Sequence, residues 1–526
     1  MKTKFCLVIF ICLGIFETAY PQAGVLDSTF GTNGIGAFPF PLGAGYSVLV
    51  QNDGNILVGG NTANNSCAIA RFKPNGTLDS SFGTNGKVTY YIDGHCQNAA
   101  MALQQDGKIV FSSTSTLGFA LLRFNSNGTI DNSFNGSGLV ISNFNTEGYS
   151  DVSLPVVIQD DGKIIQGGNA HDNSGVDHFG LIRLNPNGSI DNSFGISGRV
   201  MTLIGNPLPA LWSLAVQSDG KILAGGYSES QMAAPSCFAL ARYNINGSLD
   251  AANFSLDGKV TEYFGLGGAS GASLDYDIAN AMSFGHDGRI LMSGGSLLAG
   301  DTNSPIPIMK FNIDGSLDNT FGINGKIRYF AEPASFEINS IAVQIDGKIL
   351  LCGIASYDLS GNLNDYCVAR FESNGEIDSS FGTNGIAYST LDSAMDMGYS
   401  IAIQADNKIL ITGYSFTHGM FVARYLPGIV NGLNDVSSEA IQPILTYPNP
   451  IHDKAIIEYT LEQNEKLSIL LTDIHGKTVQ AFITNETRLA GIHEEELHLT
   501  ESLAAGTYII SISNGKNSQG VKVVKY

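Results

Sequence analysis

The chain has 526 residues and a formal charge of −20, with 14% charged residues, 43% hydrophobic residues and 62 glycines. That hydrophobic share excludes a disordered chain, and the acidity argues against nucleic acid as a partner because phosphate would be repelled. Few charges and many glycines fit a turn-rich, all-β chain better than a helical one, and the length suggests more than one domain.

Residues 1–23 read as a signal peptide: Lys2 and Lys4 precede an apolar run from Phe5 to Phe16, followed by small and polar residues. The run is too short to span a bilayer, and no other stretch is apolar enough, so no transmembrane segment is expected. Cys6 and Cys12 would leave with this segment, and Cys67, Cys96, Cys237, Cys352 and Cys367 remain. An odd number leaves at least one unpaired. Cys352 and Cys367 flank a predicted hairpin loop and could pair; equally, all five could be small buried hydrophobes. No zinc-type spacing is present.

Residues 24–427 carry seven copies of one pattern, spaced 52 to 68 residues apart, of which Leu78-Asp79-Ser80-Ser81-Phe82-Gly83 is typical. Each copy reads as four short strands. An Asp-Gly turn, such as Asp106-Gly107, follows the second, and Asp406-Asn407 takes its place in the last copy. The fourth strand ends in a cation, and an aspartate follows about eight residues later. The pairs are Arg71 with Asp79, Arg123 with Asp131, and Arg183 with Asp191. They continue as Arg242 with Asp250, Lys310 with Asp318, and Arg370 with Asp378. Either a charge-assisted contact pins the turn, or each aspartate caps its own backbone. Sevenfold repetition argues against catalysis at these positions. Arg424 has no aspartate after it and Asp27 has no arginine before it. A closed ring would join them, the segment from Asp27 to Phe40 supplying the outermost strand of the last sheet. The expected architecture is a seven-bladed β-propeller of four-stranded repeats, preferred to a solenoid because a solenoid has no use for this complement. Near-constant turns fall at one end of such a ring. Loops of variable length fall at the other, where binding residues are expected.

The Leu-Asp-x-x-Phe-Gly-x-x-Gly stretch, the Gln-x-Asp-Gly-Lys-Ile hairpin and the Ala-Arg-Phe strand resemble the delta-60 family of β-propeller repeats over about residues 26–426. The resemblance implies an extracellular propeller and no particular activity. The fifth copy, with Asp250-Ala251-Ala252-Asn253-Phe254 and Lys310, departs most.

Residues 428–443 read as a polar linker. Residues 444–526 alternate as strands of a small β-sandwich. Tyr447-Pro448-Asn449-Pro450, Gly476 in Asp473-Ile474-His475-Gly476-Lys477, and Gly506 and Tyr508 in Leu503-Ala504-Ala505-Gly506-Thr507-Tyr508 resemble the C-terminal sorting domain of the type IX (Por) secretion system. That resemblance implies the type IX machinery as a partner, export across a Gram-negative outer membrane, and release or attachment at the surface. His493 and His498 are spaced five apart, so they would not stack on one helix face as the i, i+4 pair of a zinc peptidase does, and on a strand they would take opposite faces.

No nucleophile elbow, phosphate loop or dinucleotide fingerprint appears, and no catalytic residue is assigned. His171, Asp172, Asp177 and His178 share one variable loop and could bind a metal or exchange protons, though solvated loop polarity explains them as well. Asp275, Asp277 and Asp301 lie on the long loops of the fifth copy and could hold calcium, although no complete calcium-loop motif is present. Trp212, the single tryptophan, reads first as core packing and otherwise as a sugar-stacking platform, and with Tyr276, Tyr357 and Asp358 it completes the candidate binding set on this face. No cofactor is expected. Three functions follow: a monomeric extracellular propeller binding a glycan or protein, a propeller hydrolase or lyase acting on polysaccharide, or a surface spacer.

Overall fold

The structure, a computed structural model, describes residues 23–93, 96, 99–145, 151–205, 208–229, 236–265, 276–297, 301, 303–331, 334–357, 364–391, 395–428, 445–447, 451, 453–461, 464–473, 478–500, 503, 506–513 and 518–525. The expected signal peptide up to residue 22 and the expected linker from residue 429 lie outside them. The described residues contain no helix, and hence none long and apolar enough to cross a membrane. Two compact units divide the chain, Met1–Ile429 and Val430–Tyr526.

Among the described residues, the first unit holds seven antiparallel sheets. Sheet one takes Gly45–Val50, Ile56–Asn61, Cys67–Phe72 and Lys87–Tyr90 in that order. Five further sheets repeat this order, and the seventh holds Asp396–Ile403, Ile409–Ser415 and Gly419–Tyr425. Each sheet straddles two sequence copies, because Lys87–Tyr90 follows the Leu-Asp-x-x-Phe-Gly turn yet pairs back onto Cys67–Phe72. The first strands of neighbouring sheets touch all the way round, sheet seven meeting sheet one. The middle strands are buried on both faces, which is why they read as unbroken apolar runs such as Ile349-Leu350-Leu351-Cys352. Apolar clusters fill the spaces between sheets. The one between sheets seven and one joins Leu410, Met420 and Val422 to Val48, Ile56 and Phe72, with Phe30 at its base.

Residues 24–36 close the ring. Leu26 bridges Tyr425 and Ile35 bridges Ala423, and the Asp27 N–H donates to the Arg424 carbonyl at 2.8 Å. These bonds match those that Leu78, Asp79 and Gly86 make to Phe72 and Arg71 within sheet one. The segment differs from expectation in one respect: it pairs by isolated bridges, not as a continuous fourth strand. Pro39 and Pro41 lack the N–H groups a ladder would use.

All seven cations meet their aspartates. Arg183 is typical: Nε donates to Asp191 Oδ2 at 2.8 Å, Nη1 donates to the Ile245 carbonyl of the next copy, and the guanidinium lies 4.5 Å from the centre of the Phe194 ring. Asp191 also accepts from the Ser193 N–H at 3.1 Å and the Ser193 hydroxyl at 2.6 Å. The two roles weighed for these aspartates are therefore both filled. Arg424 repeats the pattern across the seam, with Nε 2.9 Å from Asp27 Oδ2 and the guanidinium 4.4 Å from the Phe30 centroid.

The cysteine pairing considered above is corrected. Cys352 and Cys367 are free and buried. They sit on adjacent strands, but Cys352 faces Val368 and Cys367 faces Gly353, so neither is opposite the other. The disulfide joins Cys67 to Cys96, tying the third strand of sheet one to the loop that enters sheet two. Cys237 is free and buried.

The second unit contains a sheet of Leu445–Tyr447, Lys454–Leu461 and Gly491–His498 and a sheet of Thr478–Arg488, Glu465–Asp473, Gly506–Ser513 and Ser518–Lys525. Ile457, Tyr459 and Leu497 of the first share one core with Ile469, Leu471 and Ile510 of the second, the arrangement of a sandwich. His493 lies on a strand and stacks on Tyr459. Tyr447, Gly506 and Tyr508 are in place on strands, while Pro448, Asn449, Pro450 and Gly476 fall outside the described residues.

Candidate functional site

The antiparallel order puts all the Asp-Gly turns at one end of the ring and the variable loops at the other. Each first strand runs inward from the variable end, so its early residues line the mouth of the central opening. Among the described residues, six of these seven strands carry a β-bulge near that mouth, at 45/47, 211/213, 279/281, 338/340 and 398/400 and, in sheet three, opposite 166/168. A bulge sets two residues against one and re-aims a side chain. Here the extra residue is Tyr46, Trp212, Asn280, Asn339 or Tyr399, and all five line one cavity of about 460 Å³.

A glycine opposite each bulge explains why it forms. A Cβ placed on Gly60, Gly226, Gly294, Gly353 or Gly413 would lie 1.8–2.0 Å from a first-strand carbonyl oxygen, that of the residue two before the bulged one. Only a residue without a side chain lets the kinked backbone approach so closely. Sheet two has Ser113 at the equivalent position, and its described pairing, Ala100–Leu103 against Ile109–Ser112, ends before that position.

Tyr227 and Tyr276 add to the cavity wall, with Ala99, Ala100, Pro155, Ile278 and Glu337. Tyr46 and Tyr399, from sheets one and seven, lie with ring centres 5.2 Å apart. Asn280 Nδ2 donates to the Ile338 carbonyl at 3.0 Å and Asn339 Nδ2 to the Gly398 carbonyl at 2.9 Å. Those bonds fix the amides, because a carbonyl accepts only, and leave each Oδ1 as the amide's acceptor. The Trp212 indole N–H is buried beside the Tyr227 hydroxyl without a partner in hydrogen-bonding geometry. Glu337 makes no ion pair among the described residues, and no described Lys, Arg or His lines the cavity. Desolvation raises the Glu337 pKa, and a hydrogen bond from Asn280 opposes the rise.

Of the residues expected on this face, Trp212 and Tyr276 are in the cavity. The other described ones are elsewhere. His171 Nε2 lies 2.9 Å from Asp177 Oδ1 on opposed positions of one hairpin. Asp172 closes the hairpin turn by accepting from the Ser174 N–H, the Ser174 hydroxyl and the Val176 N–H. His178 Nδ1 meets the Val176 carbonyl. Asp277, the neighbour of Tyr276, points the other way. It is fully buried and accepts from the Phe264 N–H at 2.9 Å and the Ser296 hydroxyl at 2.7 Å. Asp301 pairs with Arg328, and Tyr357 packs toward Tyr388. Asp275 and Asp358 lie outside the described residues. No three metal-ligating side chains come together among the described residues. Asp277 belongs to a set the sequence reading overlooked: Asp151 and Asp396, also fully buried, likewise accept backbone N–H groups from the loops entering their sheets. A second depression of about 760 Å³, between sheets four and five, is lined by Asp257, Lys259, Glu262 and other polar groups and has no aromatic wall.

A family described as a β-propeller domain of unknown function (DUF5122) matches residues 51–82, 104–134, 159–194, 217–252 and 344–381. A secretion system C-terminal sorting domain matches residues 445–526. No curated protein matches the chain. Among solved structures, a fungal alcohol oxidase of the AA5 family is 14% identical, with 93% of this chain and 98% of that one covered and a TM-score of 0.43. PorZ, a type IX secretion component of Porphyromonas gingivalis, is 13% identical over 90% of this chain and 68% of its own, at a TM-score of 0.31. The Cps50 (Swd1) β-propeller domain of Myceliophteria thermophila is 8% identical over 74% and 98%, at 0.39. Likeness at this level carries nothing about ligand or activity.

Proposed function

From a chain that carries DUF5122 β-propeller repeats and a type IX C-terminal sorting domain, we propose a binding protein of the Gram-negative cell surface or its surroundings that captures an extracellular glycan in the central cavity of its variable-loop end. The observation that carries this is the convergence of bulged side chains from separate sheets on one aromatic cavity. Aromatic faces backed by a few fixed polar groups are the usual make-up of a ligand site. Polysaccharide hydrolysis, the second reading, calls for two carboxylates about the scissile bond, and the described lining supplies Glu337 alone. Holding a ligand fits this lining better than cleaving one.

A thermal-shift panel on the full chain tests the proposal. Neutral, acidic and basic soluble glycans, matrix proteins and calcium are each added in excess. A ligand at about 100 times its Kd stabilises the fold that binds it by about 2.7 kcal/mol. A rise in melting temperature with a glycan is expected. Shifts with calcium or a matrix protein and none with any glycan would refute the reading.

A further inference from the structure

The cavity offers acceptors and aromatic faces, and among its described lining no cationic donor. Glu337 contributes a carboxylate without an ion-pair partner among the described residues. Asn280 and Asn339 each give one Nδ2 proton to a backbone carbonyl, which turns their Oδ1 atoms into acceptors for a ligand. Tyr46, Trp212, Tyr276 and Tyr399 present rings around the same space, and the negative face of a ring attracts a cation. A neutral or acidic guest would leave the carboxylate without an opposite charge. A cationic guest with several N–H and O–H donors satisfies carboxylate, amide oxygens and rings together.

We infer that the group entering this cavity is an amino sugar bearing a free ammonium, its nitrogen against Glu337 and its ring stacked among the aromatics. The inference rests on the reading that the variable-loop end is the binding end, and it deepens that reading by naming the sugar class. An opening of about 460 Å³ is far wider than one extended alkylammonium chain needs, and it suits a pyranose ring or two. The two asparagine oxygens add acceptors for ring hydroxyls beyond the one the ammonium occupies.

Isothermal titration of the full chain with a β-1,4-linked glucosamine tetramer and with its fully N-acetylated counterpart tests this, at a pH where the amines are protonated. Trp212 emission is followed in parallel, since it is the chain's single tryptophan and lies in the cavity. The free amine should bind saturably and shift the emission. Its acetylated form should bind about tenfold more weakly or worse, because acetylation removes the charge. Glu337→Gln should lose the same factor for the amine alone while keeping the wild-type melting temperature, which separates lost recognition from misfolding. Nα-acetyl-lysine amide serves as the second amine source and should bind more weakly than the sugar. Equal affinity for the acetylated and free sugars, or undiminished affinity in Glu337→Gln, would overturn the ammonium inference and leave the binding end intact. Tighter binding of the lysine derivative, or no saturable binding of the glucosamine tetramer, would overturn the amino-sugar assignment. Saturable binding that neither moves Trp212 emission nor weakens in Tyr276→Ala would place the ligand elsewhere and sink both readings.

Discussion

Gly226→Ala is expected to destabilise the first unit by about 3 kcal/mol and to change the emission of Trp212. The new Cβ would meet the Ala210 carbonyl oxygen at 1.9 Å, a distance no side-chain rotation can relieve because the Cβ is fixed to its own Cα and the oxygen is backbone. The strand must move, and the bulge at 211/213 that aims Trp212 at the cavity moves with it. Gly225→Ala is the control. Its Cβ would meet the Met292 Cε and Met282 Sδ atoms at 3.2 and 3.3 Å, flexible ends that can give, so a cost below about 1 kcal/mol is expected. Urea unfolding with parallel emission spectra measures both. A Gly226→Ala protein with wild-type stability and an unmoved spectrum would show that the glycine does not hold the bulge.

Asp27→Ala should cost about as much as Asp191→Ala, each about 3 kcal/mol, although Asp27 is almost 400 residues from its arginine in sequence. Both aspartates are buried, and removing either leaves a guanidinium that is itself largely enclosed without its carboxylate. The loss should also depend on pH. Burial alone would raise the Asp191 pKa, but the hydrogen bonds from Ser193 and the charges of Arg183 and Lys163 outweigh it and lower the value from 3.8 to about 2. A carboxylate whose folded pKa is depressed stabilises the fold fully above its unfolded value, and that stabilisation fades as pH falls through the folded one. The gap between wild type and Asp191→Ala is therefore full at neutral pH and closes as pH falls from about 4 toward 2. Denaturant unfolding across that range reads it. If Asp27→Ala were neutral while Asp191→Ala was not, the seam would be held by the Leu26 and Ile35 bridges and the Phe30 core, without help from the ion pair.

The ring was legible in the sequence because its determinants are local and recur: the Asp-Gly turns, the cation–aspartate spacing, and the odd Arg424 and Asp27 that only closure brings together. The cavity was much less so. Loop residues such as His171, Asp172 and Asp177 drew attention because they are polar and sit on a variable loop, yet they serve their own hairpin. Tyr46, Asn280, Asn339 and Tyr399 looked like ordinary strand residues, since alternation along a strand gives no hint of a bulge. A signal was there: Gly60, Gly168, Gly226, Gly294, Gly353 and Gly413 fall at one position of the repeat, four residues after its Ile, and Ser113 replaces it once. A glycine that recurs at one position inside a strand marks a close backbone approach, and reading across to the opposed strand would have named the cavity residues. The Cys67–Cys96 bond had no comparable signal, because it depends on how the loop after sheet one folds back.

The most direct measurement of which end of the ring binds is the affinity, by surface plasmon resonance, of one ligand from the panel for three proteins: the wild type, Tyr276→Ala at the cavity, and Ile323→Glu at the constant end. Ile323 is 81% exposed in a turn of that end, so the charge should not disturb the fold. Tyr276→Ala is predicted to weaken binding about tenfold, as loss of a stacking face does, with Ile323→Glu unchanged. The reverse, binding lost in Ile323→Glu and kept in Tyr276→Ala, would contradict the account.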